Sequence, residues 1–377
     1  MQFLILISGI IVAFYLALII KYIFYWRTYK ADYKSNSSIL SGVSVIVVAR
    51  NEEITLTETI KSILNQTYPK DKFELIIVND NSTDSTQVII SNYLKASYNI
   101  KSILLDESKN EYSKKCGIEK AIRNSSFDLI LVTDADCTAG TEWINTIANC
   151  FSNTNTMFVS APVVFKKTRS IFSKLLFVEF ASLIGAGAAS IIERKPMMCN
   201  GANMAFRKEI FYEVNGYEGN RENPSGDDVF LMMKIFKKYK NGIIFLKERN
   251  AIIKTQMPNT LKLFIEQRLR WASKVKNYNE RHILFNGLIV FLINFLILIT
   301  AVFSFVNTSA FYAFLAVYFI KSTVDYVFLL DVLKFFENRK LSKYIIFEEL
   351  FYVFYVTIIF FLSFRGSYFW KGRKIKI

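Results

Sequence analysis

The stretch VSVIVVARNEE, residues 43–53, decides the fold of this chain. Its first six residues are rich in β-branched side chains, which is typical of a strand buried in a parallel sheet. Polar residues follow at once, and residues 55–64 then have the apolar spacing of a helix. A buried strand, a polar turn and a helix in this order predict one unit of a doubly wound α/β sheet.

The same alternation continues along the chain. Further buried strands are predicted at 74–78, 100–105 and 127–133, with helices at 84–96 and 114–123 between them. Ligands of such sheets bind at the carboxyl ends of the strands. We therefore expect the polar residues that follow these strands to lie on one rim of the sheet.

Membrane segments are predicted on both sides of the sheet. The 377-residue chain is 52% hydrophobic, and its apolar run at 3–20 is long enough to span a bilayer. This run has no basic n-region or cleavage site, which predicts a retained anchor. Basic residues follow it, so the N-terminus is expected outside and the next domain in the cytosol. Residues 283–320 predict two spans joined by a tight turn, and 344–364 predict another.

These features predict a division into domains. We expect a transmembrane anchor at 1–22, a cytosolic domain at 35–281, a membrane region of about three helices at 283–366 and a basic tail at 367–377. If all the segments cross, the tail lies outside, against the positive-inside rule, so a re-entrant segment is an alternative. The apolar segment 170–192 predicts a core helix pair or a surface against the bilayer.

Charge and composition exclude several classes of function. The net charge is +15, but no base-reading motif accompanies it, so anionic lipid and a nucleotide diphosphate are the expected partners and nucleic acid is not. His282 is the only histidine, which excludes a histidine-based triad in the central domain. The cysteines lack C-x-x-C spacing and predict reduced thiols; they are Cys116, Cys137, Cys150 and Cys199.

The sequence TDADC, residues 133–137, follows the last predicted strand of this series. Asp134 and Asp136 can share one hard cation, and Mg²⁺ or Mn²⁺ completes such a site with phosphate oxygens. The cation would offset the charge on a leaving diphosphate. A solvated acidic turn is the alternative interpretation.

Two other strand ends carry polar residues. Asp80 lies in NDNSTD, residues 79–84, and could accept a hydrogen bond from a base or ribose; an Asx turn with Asp84 capping the next helix is the alternative. Lys114 and Lys115 could face phosphate, or only water. Lys321 and Asp325, in the second C-terminal span, have i,i+4 spacing and could neutralise each other within the bilayer.

Two later motifs also bear on chemistry. In GDD, residues 226–228, Asp228 could act as a general base, or a carboxylate could simply cap the helix that starts there. In QRLRW, residues 267–271, helical spacing puts Gln267, Arg270 and Trp271 on one face. Arginine can bind a diphosphate in a fork, and tryptophan offers a flat wall for a sugar or lipid head.

Taken in order, these motifs resemble those of the membrane-bound family 2 inverting glycosyltransferases, which have a GT-A nucleotide-sugar fold. The resemblance covers 43–276, and its motifs are A-R-N-E-E, N-D-N-S-T-D, D-A-D, C-N-G-A-N-M-A-F-R, G-D-D and Q-R-L-R-W. Each motif alone is weak, but the ordered series is specific. The chain departs from the family pattern at Val48, where proline is frequent, at Asn81, where glycine is frequent, and at Asp227, which replaces a glutamate.

The resemblance implies a nucleotide-sugar donor, expected to be a UDP-sugar, and Mg²⁺ or Mn²⁺ as cofactor. Asp228 matches the family's base, with Asp227 as the alternative, and Asp136 matches the metal ligand, with Asp134 beside it. The implied donor-binding residues are Ala49, Arg50, Glu52, Asp80, Lys115, Asp134 and Arg270. The implied acceptor-binding residues are Gly201, Ala202, Asn203, Gln267 and Trp271.

The sequence therefore predicts a hexosyltransferase of a bacterial inner membrane that glycosylates a membrane lipid or lipid-linked acceptor for the cell envelope. A processive polysaccharide synthase is the nearest alternative, although few C-terminal segments are present to form a tunnel. A catalytically silent scaffold or transporter partner that keeps a nucleotide-binding fold is the alternative from another class.

Overall fold

The computed structural model describes residues 2–30, 41–96, 99–109, 112–166, 170–221, 225–274, 280–365, 367–370 and 373–376. The chain forms two compact units. The sheet unit comprises Lys30–Lys166 and Ser190–Gln256; the helix unit comprises Met1–Tyr29, Lys167–Ala189 and Met257–Ile377. The helix unit includes residues 167–189 and 257–281 of the predicted domain at 35–281, and the division into domains stays a prediction.

The elements run as follows. The strands are β1 (Val43–Ala49), β2 (Phe73–Asn79), β3 (Ile100–Leu104), β4 (Leu129–Asp134), β5 (Thr138–Ala139), β6 (Phe158–Ser160), β7 (Val163–Phe165), β8 (Met204–Arg207), β9 (Ile243–Phe245), β10 (Ile253–Thr255), β11 (Ser367–Trp370) and β12 (Arg373–Lys376). The helices are α1 (Gln2–Thr28), α2 (Leu56–Leu64), α3 (Thr86–Ala96), α4 (Lys114–Arg123), α5 (Trp143–Cys150), α6 (Ile171–Ile192), α7 (Lys208–Glu213), α8 (Asp227–Lys238), α9 (Leu261–Ala272), α10 (Arg281–Phe303), α11 (Thr308–Phe335) and α12 (Ile345–Leu362).

A mixed sheet forms the centre of the sheet unit. Among the described residues its strand order is β3-β2-β1-β4-β8-β6-β9. The first four strands in this order are parallel, as the alternation of strands and helices predicts. β8 is antiparallel to both β4 and β6, so the sheet is not parallel throughout. This strand follows a long excursion through α6, and the local pattern of the sequence does not specify its direction.

The β-branched residues of β1 explain its central position. Val45, Ile46 and Val47 are completely buried, and β1 pairs with β2 on one side and β4 on the other. α4 packs closely on this layer at Gly117, where an added Cβ would lie 3.1 Å from Val48 Cγ1. The valine at 48, where the family pattern often has proline, therefore serves both strand pairing and helix packing.

Asparagines turn the chain at the ends of β1 and β2. Asn51 and Asn81 each have φ of +52°. Asparagine adopts this left-handed region more readily than most residues that carry a Cβ. Asn81 can therefore replace the glycine that is frequent there in the family pattern.

The helix unit contains the apolar helices. In the part of the chain that the structure describes, five helices are long and apolar enough to cross a membrane, namely Leu6–Thr28, Ile171–Ile192, Arg281–Phe303, Thr308–Phe335 and Arg339–Leu362. Four of these correspond to the predicted spans. The fifth is α6, a single continuous helix and not the predicted helix pair. Its apolar window is 67% buried within the structure.

Local contacts explain how these helices end and pack. Asn307 interrupts the apolar segment 283–320, because its side chain accepts hydrogen bonds from the backbone N–H groups of Ser309 and Ala310 and caps α11. α6 approaches α11 closely at Gly185, where an added Cβ would lie 2.7 Å from Val332 Cγ2. The small residues of α6 therefore permit close helix packing.

A buried ionic cluster links three helices of this unit. Lys321 Nζ lies 2.8 Å from Asp325 Oδ2 and also pairs with Glu349. Tyr15 donates its hydroxyl to the same aspartate, and Glu348 is buried beside Glu349. The predicted pairing of Lys321 with Asp325 is confirmed. The cluster ties α1 and α12 to α11, because buried charges require partners.

Candidate active site

The site lies where three parallel strands end side by side. In the strand register Ala49 of β1 is opposite Asn79 of β2, and Val48 is opposite Asp134 of β4. Asp80 follows β2 directly and donates its backbone N–H to the carbonyl of Ala49 at 2.8 Å. With about 4.8 Å between neighbouring strands, β2 and β4 are about 10 Å apart on the two sides of β1. The acidic residues after different strands therefore meet on one rim.

Arg50 organises the first part of this rim. Its Nη1 donates to the carbonyls of Asp80 at 2.8 Å and Asn81 at 3.2 Å, and it lies 3.8 Å from the Oδ1 of Asp80. Asp80 itself is 1% exposed. The guanidinium thus holds the loop after β2 in place, and it also supplies positive charge next to the buried carboxylate of Asp80.

The loops after β1 and β2 are joined by hydrogen bonds. Glu52 donates its backbone N–H to Thr86 Oγ1, and its carboxylate accepts from Thr55. The carboxylate of Asp84 accepts from the N–H groups of Thr86 and Glu53, which is the predicted Asx arrangement. Partial burial opposes ionisation of Asp84, but these hydrogen bonds outweigh it and lower the pKa. The two loops form one braced wall of the site.

Asp134, Asp136 and Cys137 form a group whose potential ligand atoms all lie within 4.8 Å of one another. Burial, followed by the charges of Asp136 and Asp134, raises the pKa of the Cys137 thiol well above its usual value. A cysteine sulfur is a soft ligand, which suits metals other than Mg²⁺ and Mn²⁺. The two carboxylates remain as hard oxygen donors, which fit Mg²⁺ or Mn²⁺.

Lys114 connects the two acidic motifs of this unit. Its Nζ lies 2.6 Å from Asp134 Oδ1 and 2.9 Å from Asp227 Oδ2. Burial disfavours the charged form, but these two carboxylates outweigh it and raise the pKa of Lys114. The amine is therefore a permanent cation between the D-A-D and G-D-D motifs. Through these two salt bridges, Lys114 joins Asp134 and Asp227, which are nearly a hundred positions apart in the sequence.

The two aspartates of G-D-D start α8 and have different partners. Asp227 pairs with Lys114, whereas Asp228 Oδ2 accepts from the backbone N–H of Gly201 at 3.1 Å. The preceding Gly226 has φ of +87°, and an added Cβ there would lie 2.5 Å from the ring of Phe230. Glycine is therefore required at this helix start.

Gly201 lies between these charged groups. An added Cβ would be 2.9 Å from Asp227 Oδ2 and 3.2 Å from Lys114 Nζ. Ala202 is buried. The Asn203 side chain is fully buried, accepts from Trp143 Nε1 and donates to the carbonyls of Pro162 and Ala251. Of the three predicted acceptor-binding residues in this motif, Gly201 lies at the site, while the polar atoms of Asn203 are used within the fold.

The two lysines at the start of α4 have different surroundings. Lys115, predicted to approach the diphosphate, is 2% exposed, donates to the carbonyl of Asn220 and lies over the Phe230 ring. Lys114 is the lysine at the rim. Ser113 caps α4 by accepting from the N–H of Cys116, and this cap sets which lysine points to the rim. The sequence pair alone gave no signal for choosing between them.

Tyr217 is a site residue that no motif indicates. It is fully buried, and its burial, followed by the charges of Asp227 and Asp228, raises the pKa of its hydroxyl well above the usual value. The hydroxyl stays neutral at physiological pH. It provides an uncharged wall behind the two aspartates.

The Q-R-L-R-W motif lies in the helix unit, on α9. The ring of Trp271 packs against Phe180 with centroids 6.0 Å apart. Gln267 accepts a hydrogen bond from Arg268, the residue between the predicted motif positions. The sequence predicts roles for Gln267, Arg270 and Trp271 but none for Arg268. The partner of Arg268 is Glu179, which is distant in the sequence and lies on α6.

Replacing Lys114 tests the link between the acidic motifs. In Lys114→Met the two carboxylates lose their shared cation, so we expect tighter Mn²⁺ binding. Charged hydrogen bonds of about 1.5–3 kcal/mol are lost, so sugar transfer should fall by about 10- to 100-fold. Manganese titration by electron paramagnetic resonance and an activity assay check both effects. Lys61→Met, at an exposed position of α2, is the matched control. Unchanged Mn²⁺ affinity and activity in Lys114→Met would remove Lys114 from the site.

Comparison with known proteins finds a family match for part of the chain. Residues 44–214 match the family model described as Glycosyl transferase family 2. This segment, somewhat less than half of the chain, is therefore similar to a family 2 glycosyltransferase domain. The matched segment runs from β1 to just beyond α7 and contains the Asp80 loop, the D-A-D motif, Lys114 and Gly201. The two aspartates of α8 lie beyond its end.

Two curated relatives of the family 2 domain are similar over most of the chain. Probable glycosyltransferase YdaM of Bacillus subtilis (strain 168) is 26% identical over 245 residues, covering 64% of this chain and 56% of the relative. A poly-beta-1,6-N-acetyl-D-glucosamine synthase of Staphylococcus epidermidis is 25% identical over 248 residues, covering 63% of this chain and 56% of the relative. The chain thus spans about half the length of these relatives.

A solved structure supports the fold of the family 2 domain. The mannosyltransferase PcManGT from Pyrobaculum calidifontis, in complex with GDP-Man and Mn²⁺, has a TM-score of 0.57 at 16% identity. The comparison covers 93% of this chain and 97% of that chain. At this identity the likeness shows the GT-A fold, as the resemblance in the sequence implies.

Proposed function

We propose that the chain is a membrane-bound inverting glycosyltransferase that moves a sugar from a nucleotide-sugar, expected to be a UDP-sugar, to a membrane lipid or lipid-linked acceptor. The observation that carries this proposal is the cationic Lys114 amine between Asp134 and Asp227, with Asp228 beside it on Gly201. Asp134 is one of the two carboxylates proposed to bind the metal ion, and Asp228 is the carboxylate proposed as the general base. Their closeness to Lys114 and Gly201 supports a common site.

Donor binding is assigned to the braced rim. Asp80 and Glu52 would accept hydrogen bonds from the nucleoside, and the Arg50 guanidinium holds the Asp80 loop for this contact. For Arg270, in the helix unit, diphosphate binding by its fork stays a prediction of the Q-x-x-R-W motif. The solved mannosyltransferase from Pyrobaculum calidifontis is in complex with GDP-Man, which supports a nucleotide-sugar as the donor class.

The carboxylates Asp134 and Asp136 are the groups that would hold a divalent cation, since they offer clustered hard oxygens. When bound, Mg²⁺ or Mn²⁺ would stabilise the negative charge on the departing diphosphate. The Mn²⁺ in the complex of the solved mannosyltransferase supports this cofactor class. Lys114 would keep the Asp134 carboxylate oriented on the rim.

The reaction is a single displacement. The acceptor hydroxyl oxygen attacks the anomeric carbon while the bond from that carbon to the diphosphate oxygen breaks, and the diphosphate leaves with the bonding electrons. Asp228 takes the hydroxyl proton as general base. Attack from the face opposite the diphosphate inverts the anomeric configuration. Asp227, held by Lys114, remains the alternative base.

The acceptor is proposed from the apolar helices. Five helices of the described chain could cross a membrane, which supports an integral membrane protein. A cytoplasmic catalytic domain and a bacterial inner membrane are further parts of the proposal. We favour addition of one sugar to a lipid. The alternative of processive polymer synthesis has specific support, because the relative from Staphylococcus epidermidis is named as a polysaccharide synthase. A silent scaffold is disfavoured because the charged set is intact.

A donor screen tests the proposed function. Purified chain in lipid nanodiscs is incubated with labelled UDP- and GDP-sugars and Mn²⁺, and extracted lipids are analysed by mass spectrometry. We expect one nucleotide-sugar to give a lipid that is heavier by one sugar. A ladder of longer products would favour the polymer synthase. No transfer and no hydrolysis with any donor would support the silent scaffold.

Removing the metal ligand tests the metal assignment. Asp136→Ala loses one of two clustered carboxylates, and metal ligand loss should reduce activity by at least about 100-fold, since charge stabilisation of several kcal/mol is removed. EDTA should reduce the wild type to the same level. Activity that neither the substitution nor EDTA changes would contradict a metal at this site. Glu142→Ala, a carboxylate at the start of α5 that is not part of the acidic group, serves as control.

A further inference from the structure

The second residue of the Q-R-L-R-W motif is the centre of a buried contact network. Arg268 is 4% exposed and lies on α9, and its Nε donates to Glu179 Oε1 of α6 at 3.0 Å. Its Nη2 donates to the other oxygen of the same carboxylate. Glu179 is completely buried. The two side chains therefore form a bidentate pair shielded from water.

The same guanidinium also contacts the two flanking motif residues. Its Nη1 donates to Gln267 Oε1 at 2.6 Å, and its Cζ lies 4.2 Å from the centroid of the Trp271 ring. Its Cζ also lies 4.6 Å from the centroid of the Phe264 ring. One side chain thus fixes both the amide of Gln267 and the plane of Trp271.

The carboxylate partner is held from a third helix. Tyr355 of α12 donates its hydroxyl to Glu179 Oε1 at 2.6 Å. Phe180, next to Glu179 on α6, packs against the Trp271 ring. Three helices of the helix unit therefore meet at this ion pair, α9 and α6 through its two members and α12 through Tyr355.

The chemistry of this network favours a positioning role over a purely stabilising one. A buried ion pair is often no more stabilising than apolar residues of similar volume. What the pair adds is geometry, because the planar fork of arginine binds a carboxylate in one orientation and stacks on an aromatic face. Lysine offers neither the fork nor the stacking plane.

We propose that Arg268 and Glu179 are positioning residues that set Gln267 and Trp271 for the acceptor; this assignment rests on the proposed glycosyltransferase function. The pair does not contact the reacting atoms. It acts by fixing the amide and the indole that the Q-x-x-R-W motif offers. Loss of the fork should therefore affect acceptor use more than donor use.

The experiment compares full-length wild type, Glu179→Gln, Arg268→Lys and the control Asp331→Asn in nanodiscs. Asp331 pairs with Arg27 between α1 and α11, so the control breaks a different interhelical ion pair of the same unit. Four quantities are measured: binding of UDP with Mn²⁺, donor hydrolysis without acceptor, transfer to dioleoylglycerol or undecaprenyl phosphate in the nanodisc, and amide hydrogen exchange of α9.

We expect transfer to fall at least about 10-fold in Glu179→Gln and Arg268→Lys, since small misplacements of substrate-positioning groups have effects of this size or larger. UDP binding and donor hydrolysis, which are proposed to depend on α9 only through Arg270, should fall by a much smaller factor than transfer, and α9 should exchange faster. Asp331→Asn should change none of these. Transfer, hydrolysis and UDP binding that fall together would indicate general damage and overturn the positioning role.

Failure of the proposed function gives a different result. If the wild type binds no nucleotide and transfers no sugar, the glycosyltransferase proposal fails, whatever the variants do. If the wild type is active and the two variants transfer normally, only the positioning proposal fails. Unchanged exchange of α9 in both variants also overturns it, because the pair then does not hold this helix.

Discussion

Asp228→Asn is expected to lose sugar transfer by about 100- to 10,000-fold while it keeps nucleotide binding, because general base catalysis contributes effects of this size. The amide keeps the shape of the side chain and can still accept from the N–H of Gly201, which the carboxylate does at 3.1 Å. It cannot take a proton from the acceptor hydroxyl. Transfer rates with the donor found in the screen, together with UDP binding, give the measurement.

Two further variants make this result specific. Asp227→Asn removes one carboxylate partner of Lys114 and leaves the proposed base in place. This variant should therefore lose less transfer activity than Asp228→Asn. Glu209→Gln, on the exposed surface of α7, should leave activity unchanged. Full activity in Asp228→Asn would contradict the base assignment, and a larger loss in Asp227→Asn would transfer that role to Asp227.

Lys321→Met is expected to lower the free energy of unfolding by about 3–5 kcal/mol, because breaking a buried ion pair leaves uncompensated charge inside the helix unit. Lys321 is 1% exposed, and it pairs with both Asp325 and Glu349. Glu348 is buried next to this pair. Unfolding in detergent, followed by circular dichroism, provides the measurement.

A control variant and a compensating variant make this prediction specific to the buried charges. Lys334→Met breaks a pair with Asp331 in which the lysine side chain is 47% exposed, so its effect should be below about 1 kcal/mol. The triple change Lys321→Met, Asp325→Asn, Glu349→Gln removes the unbalanced charges and should recover much of the lost stability. Equal stability of Lys321→Met and wild type would show that the cluster does not hold these helices together.

The sequence predicts the parallel half of the sheet because each strand there is a local pattern. The β-branched run at 43–48 and the polar turn after it specify β1 without reference to distant residues, and β2 and β4 repeat the pattern. β8 differs because its antiparallel place beside β4 depends on the path through α6. Strand direction after a long excursion is a tertiary property, which periodicity does not encode.

The candidate site shows the same division between local and tertiary information. Asp80, Asp134 and Asp136 follow strands directly, so the rule for carboxyl ends of parallel strands places them on the rim. The choice of Lys114 over Lys115 depends on where the helix cap sets α4, and the buried amide of Asn203 depends on contacts with α5. The spacing of the motifs predicts neither contact.

Hydropathy predicts the apolar spans of the helix unit, but it does not predict which of its charged residues form pairs. Lys321 and Asp325 are one turn apart, so their pairing is visible in the sequence. The partners Glu349 and Glu179 come from other helices, and only packing selects them. Arg268 stands inside a recognisable motif, yet its role depends on Glu179, which lies 89 residues away.

The stereochemistry of the product tests the central claim most directly. Purified protein is supplied with an α-linked nucleotide-sugar and its lipid acceptor, and the anomeric configuration of the isolated product is determined by proton NMR. A single displacement with Asp228 as base predicts a β-linked product from the wild type and none from Asp228→Asn. An α-linked product, or equal yields from the two proteins, would contradict the account.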